Sequence, residues 1–350
     1  MRAEVTTGIY YSDDFLLHDT GDHPESKQRL EAIIQRLRSA PDLGNAEFLE
    51  ALPTTQETLK SVHAPAYVDR VARMAASGGG WLDADTVVSP DSMGAALRAA
   101  GAAIDAAAAV AGGRLTNAFV AVRPPGHHAT SQRGMGFCLF NNVALAAHHL
   151  LSEGLARRIA VVDFDVHHGN GTQDIFYEEP AVLAFSTHQM PLYPGSGRYT
   201  EVGSEAGRGY TVNVPLPPGT GDGGYVYVME AVVSPLLRRY QPDFILVPAG
   251  YDGHWSDPLA NMKLTTPGFG RIVRHISALA EELCGGKIVC TLEGGYDLRA
   301  LASSVEATVR VLADSDLEVP DPYGAPGDVR GSETVEPVVS AVRKIHGLGE

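Results

Sequence analysis

Apolar residues follow two alternating patterns along the chain: short unbroken runs, and longer stretches in which they return every three or four positions. The runs at 8–11, 117–122, 158–162, 182–186, 210–214, 244–248 and 287–292 predict strands, most of them buried on both faces. Helical spacing marks 25–38, where Leu30, Ile33, Ile34 and Leu37 recur on one side and Pro24 can open the helix. It returns at 55–75, broken at Pro65, in the alanine-rich stretch 93–112, and from about Asn142. Further helices are expected at 171–176, 225–239, 267–283 and 298–313, and a short last one that Pro337 could open and that runs to about His346. Strand and helix in turn predict an α/β fold with a mostly parallel sheet covered on both faces. The pattern reads as a single domain over 1–350 with its core at about 8–312, and 313–350 as a C-terminal loop and helix.

Charge narrows the partners. With 27 basic and 42 acidic residues the formal net charge is −15, which repels phosphate backbones and anionic lipid and draws in a cationic peptide or amine. Neither nucleic acid nor membrane is expected as a partner. The stretch 93–112 is interrupted by Arg98 and Asp105 and reads as a packed soluble helix. Three cysteines, Cys138, Cys284 and Cys290, lack scaffold spacing, and the first ten residues carry no long apolar core. Reduced thiols and a cytoplasmic location are the expectation.

The chemistry concentrates where strands end. The run at 158–162 leads into Asp163, Asp165 and His167, three metal-competent side chains at alternate positions, which an extended chain would project from one face. Ligands of an open parallel sheet bind beyond the carboxyl ends of its strands. The other strands deliver His127 and His128, then Asp252, then Tyr296, each in a turn containing glycine. Asp165, His167 and Asp252 suit a three-ligand catalytic metal site. Beside it the histidine pair can act as base and acid, and Tyr296 can stabilise an oxyanion. His18 and His23, in the loop 17–25, read as solvated.

Taken together, Arg123-Pro-Pro-Gly-His-His-Ala129, Gly136-Phe-Cys138, Asp163-Phe-Asp-Val-His-His-Gly-Asn-Gly-Thr-Gln173, Ala249-Gly-Tyr-Asp252, Asp257-Pro-Leu259 and Glu293-Gly-Gly-Tyr296 resemble the zinc-dependent deacetylases of the arginase/deacetylase superfamily, close to the bacterial class II histone-deacetylase-like proteins. The resemblance implies the three-layer α/β/α fold of that superfamily. It implies zinc on Asp165, His167 and Asp252, although the same ligands accept ferrous iron. His128 would be general base and acid with Asn170 as its partner, and His127 its companion oriented by Asp163. Tyr296 would polarise the scissile carbonyl. Phe137 and Tyr193, which alone read as core aromatics, would wall an acyl-lysine tunnel with Gly136, and Asp85 is the nearest match to a rim aspartate. A structural potassium ion would lie against Asp163, Asp165, His167, Ser186 and Thr187, several through backbone carbonyls, with a second near Phe176, Val182 and Tyr225. Asn170, three positions after His167, departs from the two-manganese arginases.

The activity expected is removal of acetyl or other short acyl groups from N-acyl-lysine. Acetylpolyamines or small amides are the alternative, which Leu259 disfavours because polyamine-preferring relatives place an acidic residue there. A non-catalytic metal-dependent binding protein is the remote one. Homo-oligomer contacts, if formed, are expected in the loops 17–25 and 316–333.

Overall fold

The computed structural model describes residues 6–349. Its strands are β1 Thr7–Tyr11, β2 Ala46–Glu50, β3 Gly80–Trp81, β4 Val87–Val88, β5 Asn117–Val120, β6 Ile159–Asp163, β7 Val182–Gln189, β8 Thr211–Leu216, β9 Phe244–Ala249 and β10 Ile288–Leu292. The helices are α1 Lys27–Ser39, α2 Gln56–Leu59, α3 Pro65–Ala76, α4 Ser92–Ala111, α5 Asn142–Ser152, α6 Asn170–Ile175, α7 Asp222–Val228, α8 Ser234–Tyr240, α9 Thr266–Cys284, α10 Leu298–Leu312 and α11 Ser332–His346.

Eight strands form one sheet in the order β2-β1-β5-β10-β9-β6-β7-β8, and every neighbouring pair in it is parallel. Strands β3 and β4 make a separate antiparallel ribbon in the segment between α3 and α4. Helices α1, α10 and α9 pack together as one layer and α4 and α5 as another, with the sheet between them. The central strands are buried along their whole length, which is why they appear in the sequence as unbroken apolar runs. The order has one consequence for function: β5, β10, β9 and β6 are consecutive neighbours, so the turns after these four strands open side by side.

Besides the short strands β3 and β4, which the pattern does not mark, β2 and α11 differ from the pattern-based expectation. Edge strand β2 is half-exposed along its length, so it leaves no apolar run to read. Helix α11 begins at Ser332 and carries Pro337 inside it rather than at its start. Its buried Val335, Val339 and Val342, packed towards β8 and α7, hold the turns on either side of the proline. Pro65 does open α3, so the break expected there coincides with a helix start.

Helix α4 is long and apolar enough to cross a membrane, yet 67% of its apolar window is buried in the protein core. Gly101 in that helix faces the main chain of another segment: a Cβ there would lie 2.1 Å from the Leu52 carbonyl oxygen and 2.7 Å from the Thr54 nitrogen. Helix propensity alone says Gly101→Ala should stabilise by about 1 kcal/mol. Overpacking against backbone reverses the sign, and urea denaturation should show a loss of about 1–3 kcal/mol.

Candidate metal centre and active site

Strand β6 ends at Asp163, and the chain beyond it is held by its own side chains. Asp163 Oδ1 accepts the Asp165 amide at 3.0 Å, and Asp165 Oδ1 accepts the His167 amide at 2.8 Å. These aspartate turns, rather than a continuing extended strand, set the alternation. The three side chains therefore do not serve one face: Asp163 reaches His127, while Asp165 and His167 meet Asp252.

Asp252 arrives on the turn after β9. Its Oδ1 accepts the Val166 amide at 3.1 Å, and Asp165 Oδ2 accepts the Gly294 amide at 2.8 Å, so three strand ends are bonded to one another. His167 Nδ1 lies 3.0 Å from Asp252 Oδ2 and 3.3 Å from Asp165 Oδ1. One ligand atom from each of the three residues falls within 4.8 Å of the others, and all three residues are buried. Glycine is required around them. A Cβ on Gly250 would come 1.8 Å from Asp165 Oδ2, and one on Gly294 2.1 Å from Asp252 Oδ2.

Two buried carboxylates at this range call for positive charge. Burial opposes charge on His167, but Asp252 and Asp165 outweigh it and push the imidazole up to about 10. Burial also works against ionised Asp165, yet His127 and His167 hold it well below the carboxylate range. Burial and the charge of Asp165 raise Asp252. Both acids thus direct their charge at the one imidazole between them. A divalent cation on the same oxygen and nitrogen donors meets the same demand, and the donor set fits zinc or ferrous iron.

The turn after β5 carries the histidine pair, with ring centroids 4.0 Å apart. His127 Nδ1 lies 3.0 Å from Asp163 Oδ2, and His128 Nδ1 2.7 Å from Asn170 Oδ1. Their protonation separates. Burial lowers His127, but Asp165 and Asp163 bring it up to about 10, whereas burial and the charges of His127 and His167 hold His128 well below its ordinary value. Asn170 Nδ2 donates to the His128 carbonyl at 3.3 Å, which turns the amide oxygen towards the ring. That oxygen only accepts, so Nδ1 of neutral His128 carries the hydrogen and Nε2 is left as a free base.

Tyr296 follows the Gly294-Gly295 turn beyond β10, and Gly295 has φ +117°, a conformation that favours glycine. Burial raises its phenol; the Arg29 charge opposes this, and Asp252 and Asp165 add to it, so the hydroxyl remains a donor. Phe137 meets the Tyr296 ring edge-on at 5.8 Å, and Tyr193 meets His128 at 5.2 Å. Gly136, at φ +56°, lies between them; a Cβ there would come 2.5 Å from the His128 ring and 2.9 Å from Tyr193. Tyr193 is 38% exposed, so the aromatic pair stands at a mouth above the histidines. Asp85 is half-buried nearby; burial raises the Tyr193 phenol and the charge of Asp85 adds to it. Ser186 lies opposite Asp163 in the β6–β7 register, and the Thr187 hydroxyl donates to the Asp163 carbonyl at 3.4 Å.

Sequence reasoning missed the group that holds Tyr296. Asp257 Oδ2 accepts the Tyr296 and Asp297 amides at 2.7 and 3.2 Å, while its Oδ1 accepts the Leu259 amide at 3.0 Å. One carboxylate therefore ties the tyrosine loop to the loop bearing Leu259. Arg29 lies 5.0 Å over the Tyr296 ring and donates from Nε to the Gly295 carbonyl at 2.7 Å. Glu25 pairs with both Arg29 and Arg123 at full burial. The readable signal was an arginine on the apolar face of α1, four residues after Glu25. The loop histidines are not simply solvated, contrary to the sequence expectation: one is buried and the other half-buried. His18 is 1% exposed and bonds Ser92 Oγ at 2.7 Å, and His23 packs edge-on against Phe137 at 4.6 Å, because the loop 17–25 folds inward around Glu25.

Burial alone would raise Glu25, but Arg123, with His18 and Arg29, holds it down at about 2. A depressed carboxylate stabilises the fold above its unfolded value and loses that contribution as pH falls towards its folded one. Between pH 4.5 and about 2 this group alone withdraws roughly 3 kcal/mol. Glu25→Gln should be less stable at pH 7 and show a flatter fall over that window by urea denaturation; an unchanged slope would contradict the assignment.

Comparison with known proteins agrees with this geometry. The histone deacetylase domain family matches residues 23–312. A probable deacetylase of Archaeoglobus fulgidus is 42% identical over 317 residues, covering 89% of this chain and 88% of that protein. Histone deacetylase 14, chloroplastic, of Arabidopsis thaliana is 39% identical over 325 residues, covering 88% of this chain and 77% of that protein. Among solved structures, the HD domain of HDA15 superposes with a TM-score of 0.89 at 36% identity, covering 98% of this chain and 95% of that one. The eight-stranded parallel sheet, the residues gathered at its carboxyl edge and the extent of these matches lead to one conclusion: the chain belongs to the histone deacetylase domain family of hydrolases.

Proposed function

We propose that the protein is a zinc- or ferrous-iron-dependent deacetylase that removes acetyl or another short acyl group from N-acyl-lysine in a peptide or protein. One observation carries the reading: a three-donor acidic pocket, His128 bonded through Nδ1 to Asn170, and the Tyr296 ring gather beneath a mouth walled by Gly136, Phe137 and Tyr193. A divalent cation on Asp165, His167 and Asp252 would supply Lewis acidity to the scissile carbonyl and lower the pKa of a water.

The chain's own groups do the rest. His128 Nε2 takes a proton from the attacking water as its oxygen bonds to the carbonyl carbon. The Tyr296 hydroxyl donates to the oxygen that gains negative charge. His128 then returns the proton to the lysine nitrogen as the carbon–nitrogen bond breaks, and one water has yielded a carboxylic acid and an amine. His127, charged and held by Asp163, keeps a fixed positive charge beside the reacting atoms and keeps His128 neutral. Asn170 fixes the His128 tautomer.

The reading includes a structural potassium ion against Asp163, Asp165, His167, Ser186 and Thr187. Support comes from a water-sized void of about 10 Å³ lined by Asp163, His168 and Ser186. It also includes a cytoplasmic location, in keeping with the buried, unpaired Cys138 and Cys290. A lysine side chain suits the net charge of −15, which argues against nucleic acid or a membrane surface as partner. Leu259 offers no carboxylate to a second ammonium, which favours acyl-lysine over acetylpolyamines.

Zinc-loaded enzyme should release acetate from an acetyl-lysine peptide faster than from an acetylated polyamine. Tyr296→Phe should lower kcat by about a hundredfold or more with little change in KM. A metal-loaded, folded sample inert towards acetyl-lysine peptides would sink the reading, and faster turnover of the polyamine would replace acyl-lysine as substrate.

A further inference from the structure

At the end of the sheet opposite the histidine pair, where β6, β7 and β8 begin, lies a cavity of about 430 Å³. Three arginines line it from three separate segments: Arg158 just before β6, Arg208 shortly before β8 and Arg239 near the end of α8. Arg239 is fixed in place, since its Nη1 donates to the carbonyls of His346 and Gly347. Among the described residues, no side-chain partner lies within hydrogen-bonding or ion-pairing distance of the Arg158 or Arg208 guanidinium. The nearby Asp243 carboxylate is engaged by backbone, its Oδ2 accepting the Arg157 and Arg158 amides at 2.9 and 3.0 Å.

The remaining wall is aromatic and apolar. Tyr210 and Tyr240 meet edge to face at 5.7 Å, Tyr240 is anchored by its hydroxyl to the Pro180 carbonyl at 3.2 Å, and Leu236 lies beside them. None of the described residues lining the cavity is acidic, in a chain whose net charge is −15. Three like charges around one hollow repel one another, and an anion with several oxygens removes that cost. Guanidinium forks match phosphate oxygens in pairs, and a planar ring has tyrosine to lie against.

We propose that this cavity is a binding site for a small organic phosphate of nucleotide type, carrying at least two negative charges and a ring. The volume falls within the range of about 300–1,000 Å³ usual for small-molecule sites. The five residues of β6 separate it from Asp163 by roughly 16 Å of strand, so its occupant would not touch the reacting atoms.

Isothermal titration of the full chain with ADP at low salt tests the site. Saturable binding with Kd below about 1 mM is expected, weakened about tenfold or more in both Arg158→Glu and Arg208→Glu. Both side chains are exposed and remote from the catalytic edge, so each variant should keep the wild-type Tm and hydrolase activity. Absence of saturable heat, unchanged affinity in the two variants, or adenosine binding as tightly as ADP would each overturn the proposal.

Discussion

Two carboxylates, Asp165 and Asp252, are buried around a single imidazole, and the rest of the catalytic edge is built to tolerate them. Withdrawing a charge from water costs several kcal/mol, so each acid needs specific compensation. The compensation here is main-chain: the Gly294 amide bonds Asp165 and the Val166 amide bonds Asp252. Such bonds require strand ends to come closer than side chains allow, which explains why Gly250 and Gly294 have no room for a Cβ. They also require β10, β9 and β6 to be neighbours, and the parallel sheet order provides that.

The same concentration of charge divides the labour of the histidines. Two adjacent imidazoles cannot both be charged at ring centroids 4.0 Å apart without a reason. Asp163 supplies it to His127, and Asn170, which is neutral, denies it to His128. A fixed charge and a neutral base thus arise from one dipeptide through their second partners. Around them, the buried Glu25–Arg29–Arg123 cluster and Asp257 hold the Tyr296 loop. Removing one member of such a buried pair would strand the other's charge, and the intact cluster fixes where Tyr296 stands.

Much of the fold and of the catalytic edge is legible in the sequence, and for a definable reason. Strands β5, β6, β9 and β10 are covered on both faces, so each is an unbroken apolar run, and the polar residues just beyond each run stand out at once. Strand β2 is an exposed edge and has no such signature. The sequence pattern misplaces the start of α11 because burial of its valines overrides a local proline signal. Least legible are contacts between residues far apart in sequence. Arg29 reaches Gly295 across 266 positions and Arg123 reaches Glu25 across 98, and beyond the place of Arg29 on the apolar face of α1 nothing local distinguishes these arginines or His18 from surface residues. The alternation of Asp163, Asp165 and His167 is plain in the sequence, but its cause, aspartate turns instead of strand pleat, depends on hydrogen bonds that spacing does not reveal.

The proposed function rests on Asp165, His167 and Asp252 holding one divalent cation together. Metal content and calorimetry on the same metal-stripped, folded sample test it most directly. Titration with zinc should give one equivalent bound per chain and a rise in Tm that grows with zinc concentration, and Asp252→Asn should abolish both. A folded wild-type chain that takes up no divalent cation, or an Asp252→Asn variant that binds one as tightly, would contradict the account.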